Sequence, residues 1–205
     1  MNIAIIGTGN VGGALAAKWA SAGHQIFLGV RDQVNFKGMT LLQNPNTTVH
    51  SILDAVAKAE VVVLATPAKA AIEAAKSLGD TTGKVIIDTM NIVRGNGPEG
   101  YKNTSDAILA NTNTSDLAKC FNTTGFNNML DTNYEDHQID AFAAGDSERA
   151  KGIAGQLALD AKFGACYDVG GNDKFELMEQ FAFFWINLAM MQGQGRDIGF
   201  KLLKR

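Results

Sequence analysis

The sequence predicts an α/β fold, a doubly wound, mostly parallel sheet that carries a small α/β extension at its C-terminal end. Three observations predict it. Short runs of nearly continuous apolar residues, such as Asn2 to Ile6, Val61 to Ala65 and Lys84 to Asp88, have the length and character of strands buried on both faces. Alanine-rich stretches separate them, and that alternation is what yields parallel sheets covered by helices. Glycine or Thr-Pro punctuates most of the junctions.

Taken in order, the first strand is Asn2 to Ile6, followed by a helix from about Val11 to Ala22 that Gly23 closes. The second strand is Gln25 to Val30. Residues 31–48 are polar and irregular, with a short extended piece at Thr48 to His50. Ser51 with Asp54 three residues on is an N-cap and its capping-box partner, opening a helix to about Ala59. Val61 to Ala65 is a buried strand ended by Thr66-Pro67, and Ala68 to Leu78 is a helix stopped by Gly79. The strand Lys84 to Asp88 leads into a loop over 91–103 rich in glycine and asparagine. A helix near Ser105 to Ala110 precedes a strand near Ala118 to Asn122. The remainder reads as a strand at Asp140 to Ala144, a helix at Ser147 to Leu159, a strand at Phe163 to Val169 and a closing helix at about Asp173 to Met191. No repeat or linker divides residues 1–205, so a core over 1–135 and an extension over 136–205 packed on it are expected to form one body.

Composition excludes several classes of function. The chain of 205 residues has 18 Lys and Arg against 21 Asp and Glu, a net charge of −3, and shows no compact basic patch. Nucleic acid is therefore not an expected partner. The apolar N-terminus lacks the positive region of a signal peptide, and the run Phe181 to Met191 is too short to span a bilayer. No membrane partner and a cytoplasmic location are expected. Cys120 and Cys166 have no metal-type spacing and read as reduced thiols. No clustered His, Asp and Glu suggests a metal.

Gly7-Thr8-Gly9-Asn10-Val11-Gly12 matches G-x-G-x-x-G directly after an apolar strand and at the start of an alanine-rich helix, the setting of a Rossmann-type dinucleotide site. Gly7 permits the tight turn, Gly9 lets the backbone approach a pyrophosphate, and Gly12 brings helix and strand together. The helix N-terminus offers free amides and positive dipole to the anion. A glycine turn that only packs a helix on a sheet is the alternative.

The second strand ends in Val30-Arg31-Asp32. An acidic residue near this point would mark NAD. Arg31 stands about there instead, and a guanidinium can grip a 2′-phosphate. NADP is favoured over NAD. Asp32 either turns to solvent or holds Arg31, and Lys37 is a second cation close by. Across the site, the strand ends Ala65-Thr66-Pro67, Asn91 and Asn122-Thr123 offer small hydroxyl and amide groups suited to orienting a carboxamide. His24, His50 and His137 fall outside these ends, and no serine nucleophile motif is present. No catalytic side chain is assigned, which suits hydride transfer governed by positioning.

With these residues in hand, the chain resembles the F420-dependent NADP oxidoreductases and, more distantly, the reductase domain of the STEAP metalloreductases. Besides the glycine turn, the likeness rests on Gly29-Val30-Arg31, Thr66-Pro67, Val93-Arg94-Gly95, Lys119 to Gly125, Ala144-Gly145-Asp146, Asp168 to Gly171, and Gln192 to Gly195 with Ile198 to Lys201. The resemblance implies pyrophosphate contacts from Thr8, Gly9, Asn10 and Val11 and a 2′-phosphate contact from Arg31. The family often has a serine before that arginine. Val30 replaces it here and leaves one fewer phosphate bond. The implied reaction is hydride exchange between NADP(H) and a second redox ring, the deazaflavin F420 or a flavin. An electron-relay or non-catalytic NADP module and a small imine or carbonyl reductase are the competing readings. The closing helix, rich in Phe181, Phe183, Phe184, Trp185, Met190 and Met191, is expected to be buried on most sides, and a homodimer is expected.

Overall fold

The computed structural model describes all 205 residues. Its first six strands are β1 (Asn2–Ile6), β2 (Gln25–Val30), β3 (Thr47–Ser51), β4 (Val61–Leu64), β5 (Val85–Asp88) and β6 (Leu117–Cys120). They lie in the order β3-β2-β1-β4-β5-β6, all parallel. This is the doubly wound dinucleotide-binding arrangement, with its switch of winding between β1 and β4. Helices α1 (Asn10–Ser21), α2 (Ile52–Lys58), α3 (Ala71–Lys76) and α4 (Thr104–Leu109) make the connections. Beyond β6 the chain forms a short α5 (Phe126–Leu130) and a small hairpin of β7 (Asn133–Tyr134) and β8 (His137–Gln138). The extension follows as β9 (Ala141–Ala144), α6 (Glu148–Asp160) and β10 (Cys166–Gly170). β9 joins β6 antiparallel through the pairs Lys119–Ala144 and Cys120–Ala143, and β10 runs parallel to β9.

The apolar strands are continuous because each feeds two cores. Ile3, Ile5, Val61, Val63, Val85 and Ile87 pack with Trp19 and Leu157 on one side of the sheet. Ala4, Ile6, Val62, Leu64 and Ile86 pack with Val56, Leu78 and Met178 on the other. Successive side chains of a strand point to opposite faces, so burial on both sides leaves no polar alternation to see.

Local signals shape the ends of the elements. Ser51 Oγ accepts from the Asp54 amide at 3.2 Å and donates to the Asp54 carboxylate at 2.6 Å, capping α2 as its sequence suggests. Gly23, at φ +91°, lets His24 N–H return to the Trp19 carbonyl at 3.0 Å and closes α1.

Three features differ from the sequence-based reading. The piece at Thr48 to His50 is a full edge strand, β3, paired with β2 from Ile26–Thr47 to Val30–Ser51. The segment 126–138, to which the sequence pattern assigns no element, forms α5 and the hairpin. The closing segment divides into α7 (Phe175–Ile186) and a π turn at Asn187–Met191, and it is not buried on most sides. The buried positions are the apolar stripe Phe175, Met178, Ala182, Trp185 and Ala189 together with Glu179, while Leu177, Phe183, Phe184, Met190 and Met191 are exposed. Spacing at three and four residues places one face on the sheet, and apolar count alone does not reveal which face.

The last residues fold back on the body. Trp185 Nε1 donates to the Ile198 carbonyl at 2.7 Å, Asp140 N–H donates to the Phe200 carbonyl at 2.9 Å, and Phe200 stacks on Phe181 at 4.7 Å.

Candidate functional site

A cleft of about 680 Å³ opens over the carboxyl ends of β1, β2 and β4. Gly7, Thr8, Gly9, Val30, Arg31, Ala65, Thr66 and Pro67 line it together, as their strand-end positions suggest. The three glycines have different duties. Gly7 takes φ +101°, and a Cβ there would stand 2.5 Å from the Ala65 carbonyl oxygen. A Cβ on Gly12 would collide with the Gly7 carbonyl oxygen. Both are therefore required by packing. A Cβ on Gly9 would meet nothing within 4 Å, so its missing side chain keeps open space in the cleft. Gly9 also caps α1 without a side-chain hydrogen bond, leaving the first-turn amides of a twelve-residue helix to an anion. Asn10 is exposed on that turn, whereas Val11 packs its side chain on the core and can offer the cleft only backbone. These features fit a dinucleotide pyrophosphate.

At the other end, Arg31 leans over the cleft and pairs with Glu73 of α3 at 3.8 Å, both side chains being well exposed. Asp32 does not hold Arg31. Its Oδ1 accepts from Val34 N–H at 2.9 Å and Asn35 N–H at 3.1 Å, and those amides, Val34 first, hold its carboxyl below the usual range. Lys37 also lines the cleft. Val30 is buried and brings no polar side chain.

Asn91 lines a second cleft of about 610 Å³, together with Lys69, Val93, Arg94, Ile186, Met190 and Met191. The two clefts share Pro67. Lys69 and Arg94, distant in sequence, bring two cations to one opening. Asn122 and Thr123 are buried and line neither cleft. The Asn122 amide donates to Asn91 Oδ1 at 2.8 Å and to the Met178 carbonyl at 3.1 Å, and Asn91 Nδ2 donates back to the Asn122 carbonyl at 2.7 Å. Asn122 Oδ1 is buried without a partner, an open acceptor next to Asn91. The preceding Phe121 holds φ +64°, a left-handed conformation costly for a bulky residue, with its ring fixed against Trp19 at 5.4 Å.

Behind this pair lies a buried charge network that the sequence reading missed. Lys119 Nζ donates to Asp88 Oδ2 at 2.8 Å, the Met90 carbonyl at 2.8 Å and Thr104 Oγ1 at 2.9 Å, and it lies 2.9 Å from Glu179 Oε1. Glu179 accepts from Ile92 N–H at 2.9 Å and Thr104 N–H at 3.0 Å. The residues flanking Asn91 are thus both held by the network. The available signal was a lysine inside an apolar strand, which burial forces to find partners.

The histidines serve elsewhere. His24 bridges the N-terminal amine at 3.1 Å and Asp160 at 2.9 Å, and His50 meets Thr48 at 2.8 Å. None lines either cleft. Cys120 and Cys166 are free, and burial pushes the Cys120 thiol well up. They stand on strands separated by β9, and their thiols meet across it, the hydrogen bond with Cys120 holding the Cys166 thiol below its usual range. No helix is long and apolar enough to cross a membrane.

Residues 2–92 match the family of F420-dependent NADP oxidoreductases. The likeness drawn from the glycine turn and Arg31 therefore holds over that segment. Among solved structures, a "putative F420 dependent NADP-reductase" from Arthrobacter sp. FB24 is 24% identical with a TM-score of 0.85, each chain being covered 100%. A hypothetical protein from Sinorhizobium meliloti is 20% identical at a TM-score of 0.73, with 100% of this chain and 96% of that one covered. An imine reductase from Streptomyces aurantiacus is 16% identical at a TM-score of 0.69, with 94% of this chain covering 64% of its length. These structures share the fold. No curated protein sequence matches the chain.

Proposed function

We propose that the protein is an NADP(H)-dependent oxidoreductase that exchanges a hydride with a planar redox ring, a deazaflavin such as F420 or a flavin. The observation that carries this reading is the meeting of two unlike clefts at Pro67. One has the glycine turn, the bare helix N-terminus and Arg31, the chemistry for a pyrophosphate and a 2′-phosphate. The other has an apolar wall of Val93, Ile186, Met190 and Met191 with Lys69 and Arg94 at hand, the chemistry for a flat ring with an anionic tail.

In this reading Thr8, Gly9 and the amides of Asn10 and Val11 hold the pyrophosphate, and Arg31, aided by Lys37, holds the 2′-phosphate. Thr66 and Asn91 orient the nicotinamide end, with Asn122, buried behind Asn91, fixing its side chain. The bound cofactor supplies the hydride. The protein's share is to align two rings and exclude water, which needs no acid or base at the junction.

The test is NADPH oxidation assayed with F420, FMN and FAD as acceptors, beside NADPH binding measured by fluorescence. Turnover with at least one acceptor is expected. Tight NADPH binding with no turnover on any of the three would sink the oxidoreductase reading and leave an NADP-binding module.

A further inference from the structure

Four charged side chains line the cofactor cleft, Arg31, Asp32, Lys37 and Glu73. Asp32 is committed to the amides of its own turn. Glu73 is not. It rises from the first turn of α3 on the opposite wall, and its carboxylate turns toward Arg31 with Oε1 3.8 Å from Nη1. Ser77, the next polar group along α3 in this wall, spends its hydroxyl on the Ala74 carbonyl at 2.7 Å. Val30 contributes no hydroxyl from the other side. Arg31 thus faces a single competing anion.

We infer that Glu73 is a specificity-determining residue that opposes the 2′-phosphate of NADP(H) and narrows the preference over NAD(H). The inference rests on the reading of this cleft as a dinucleotide site. A 2′-phosphate drawn to Arg31 must displace the Glu73 carboxylate and then sit near a like charge. A 2′-hydroxyl bears no such charge. Both side chains are largely solvated, at 87% and 76% exposure, so the effect is modest and screened by salt.

Isothermal titration calorimetry with NADP+ and NAD+ on the full chain and on Glu73→Gln tests this. Glutamine keeps the size and the helix, and circular dichroism checks the fold. The variant is expected to bind NADP+ about two- to fivefold more tightly than the unmodified protein, with NAD+ affinity essentially unchanged. The gain should shrink in half-molar salt, and it should be smaller when Arg31→Ala is already present, because the competition is for Arg31. Equal changes for both dinucleotides, or no gain for NADP+, would overturn the role of Glu73 while leaving the cleft as a cofactor site. Failure of the unmodified protein to bind either dinucleotide would overturn the cofactor reading and this inference with it.

Discussion

At the ends of β1 and β2, the cleft is bounded by the glycine turn, by the free amides of α1 and by exposed charged side chains, Arg31 foremost. At the ends of β5 and β6 stand side chains tied to one another, with Asn91 and Asn122 paired and Lys119, Asp88 and Glu179 locked behind them. The first region works by leaving room and presenting unpaired donors. The second works by satisfying nearly every donor and fixing a surface. They should therefore fail differently, the first when atoms are added and the second when a charge is removed.

The largest effect is expected from adding atoms. Gly9→Val should reduce binding of NADPH and NADH below detection, because its branched side chain would occupy the space kept for the pyrophosphate. The melting temperature should hardly move, since a Cβ there meets nothing within 4 Å and the φ of −74° suits any residue. Retained affinity in a titration would reduce the turn to a packing device and erase the contrast between the two strand-end regions.

Removing a charge is the next test. Lys119 is fully buried between two carboxylates. Lys119→Met would leave them without their cation and should cost about 3–5 kcal/mol in urea unfolding. The intact network is not thereby a large net stabiliser, since desolvating its charges offsets much of their attraction. Its evident effect is geometric, holding the loop from Met90 to Ile92 and the start of α4 against α7. A loss below about 1 kcal/mol would show that the charges are not coupled as the distances imply.

The same difference explains what could be read in the sequence. The glycine turn was legible because its constraints are local: Gly7, Gly9 and Gly12 act on a strand, a turn and a helix within a dozen residues. Five of the six parallel strands were legible because burial on both faces leaves apolar runs, as in Val61 to Leu64, whereas the polar edge strand β3 showed only as a short extended piece. The far side was not. Asn127 and Asn128 look like loop residues, yet their amides fix the tail at Arg196 and Ile198 across about seventy positions. Lys69 and Arg94 meet only because the loops after β4 and β5 open on the same side. In α7, Phe183 and Phe184 count as core by composition, and only the packed helix shows that they face outward.

The smallest effect is expected away from both regions, at the seam between the core and its extension, where Asp116 at the amino end of β6 meets the start of α6. It accepts from Ser147 Oγ, the cap of α6, at 2.6 Å and from Arg149 Nη1 at 2.7 Å. The Ser147 bond first, and Arg149 after it, hold its carboxyl below the usual range. A carboxylate favoured in the folded state adds stability above its ordinary pKa, and that stability is lost as pH falls through the lowered folded value. Asp116→Asn should therefore be less stable than the unmodified protein near neutrality, by under about 1 kcal/mol because the pair is partly exposed. The two stability curves should converge in strong acid, once Asp116 is protonated in both folded and unfolded chains. A difference independent of pH would assign the loss to the changed hydrogen bond with Ser147 rather than to charge, and the seam would then resemble the neutral Asn91–Asn122 pair more than the Lys119 network.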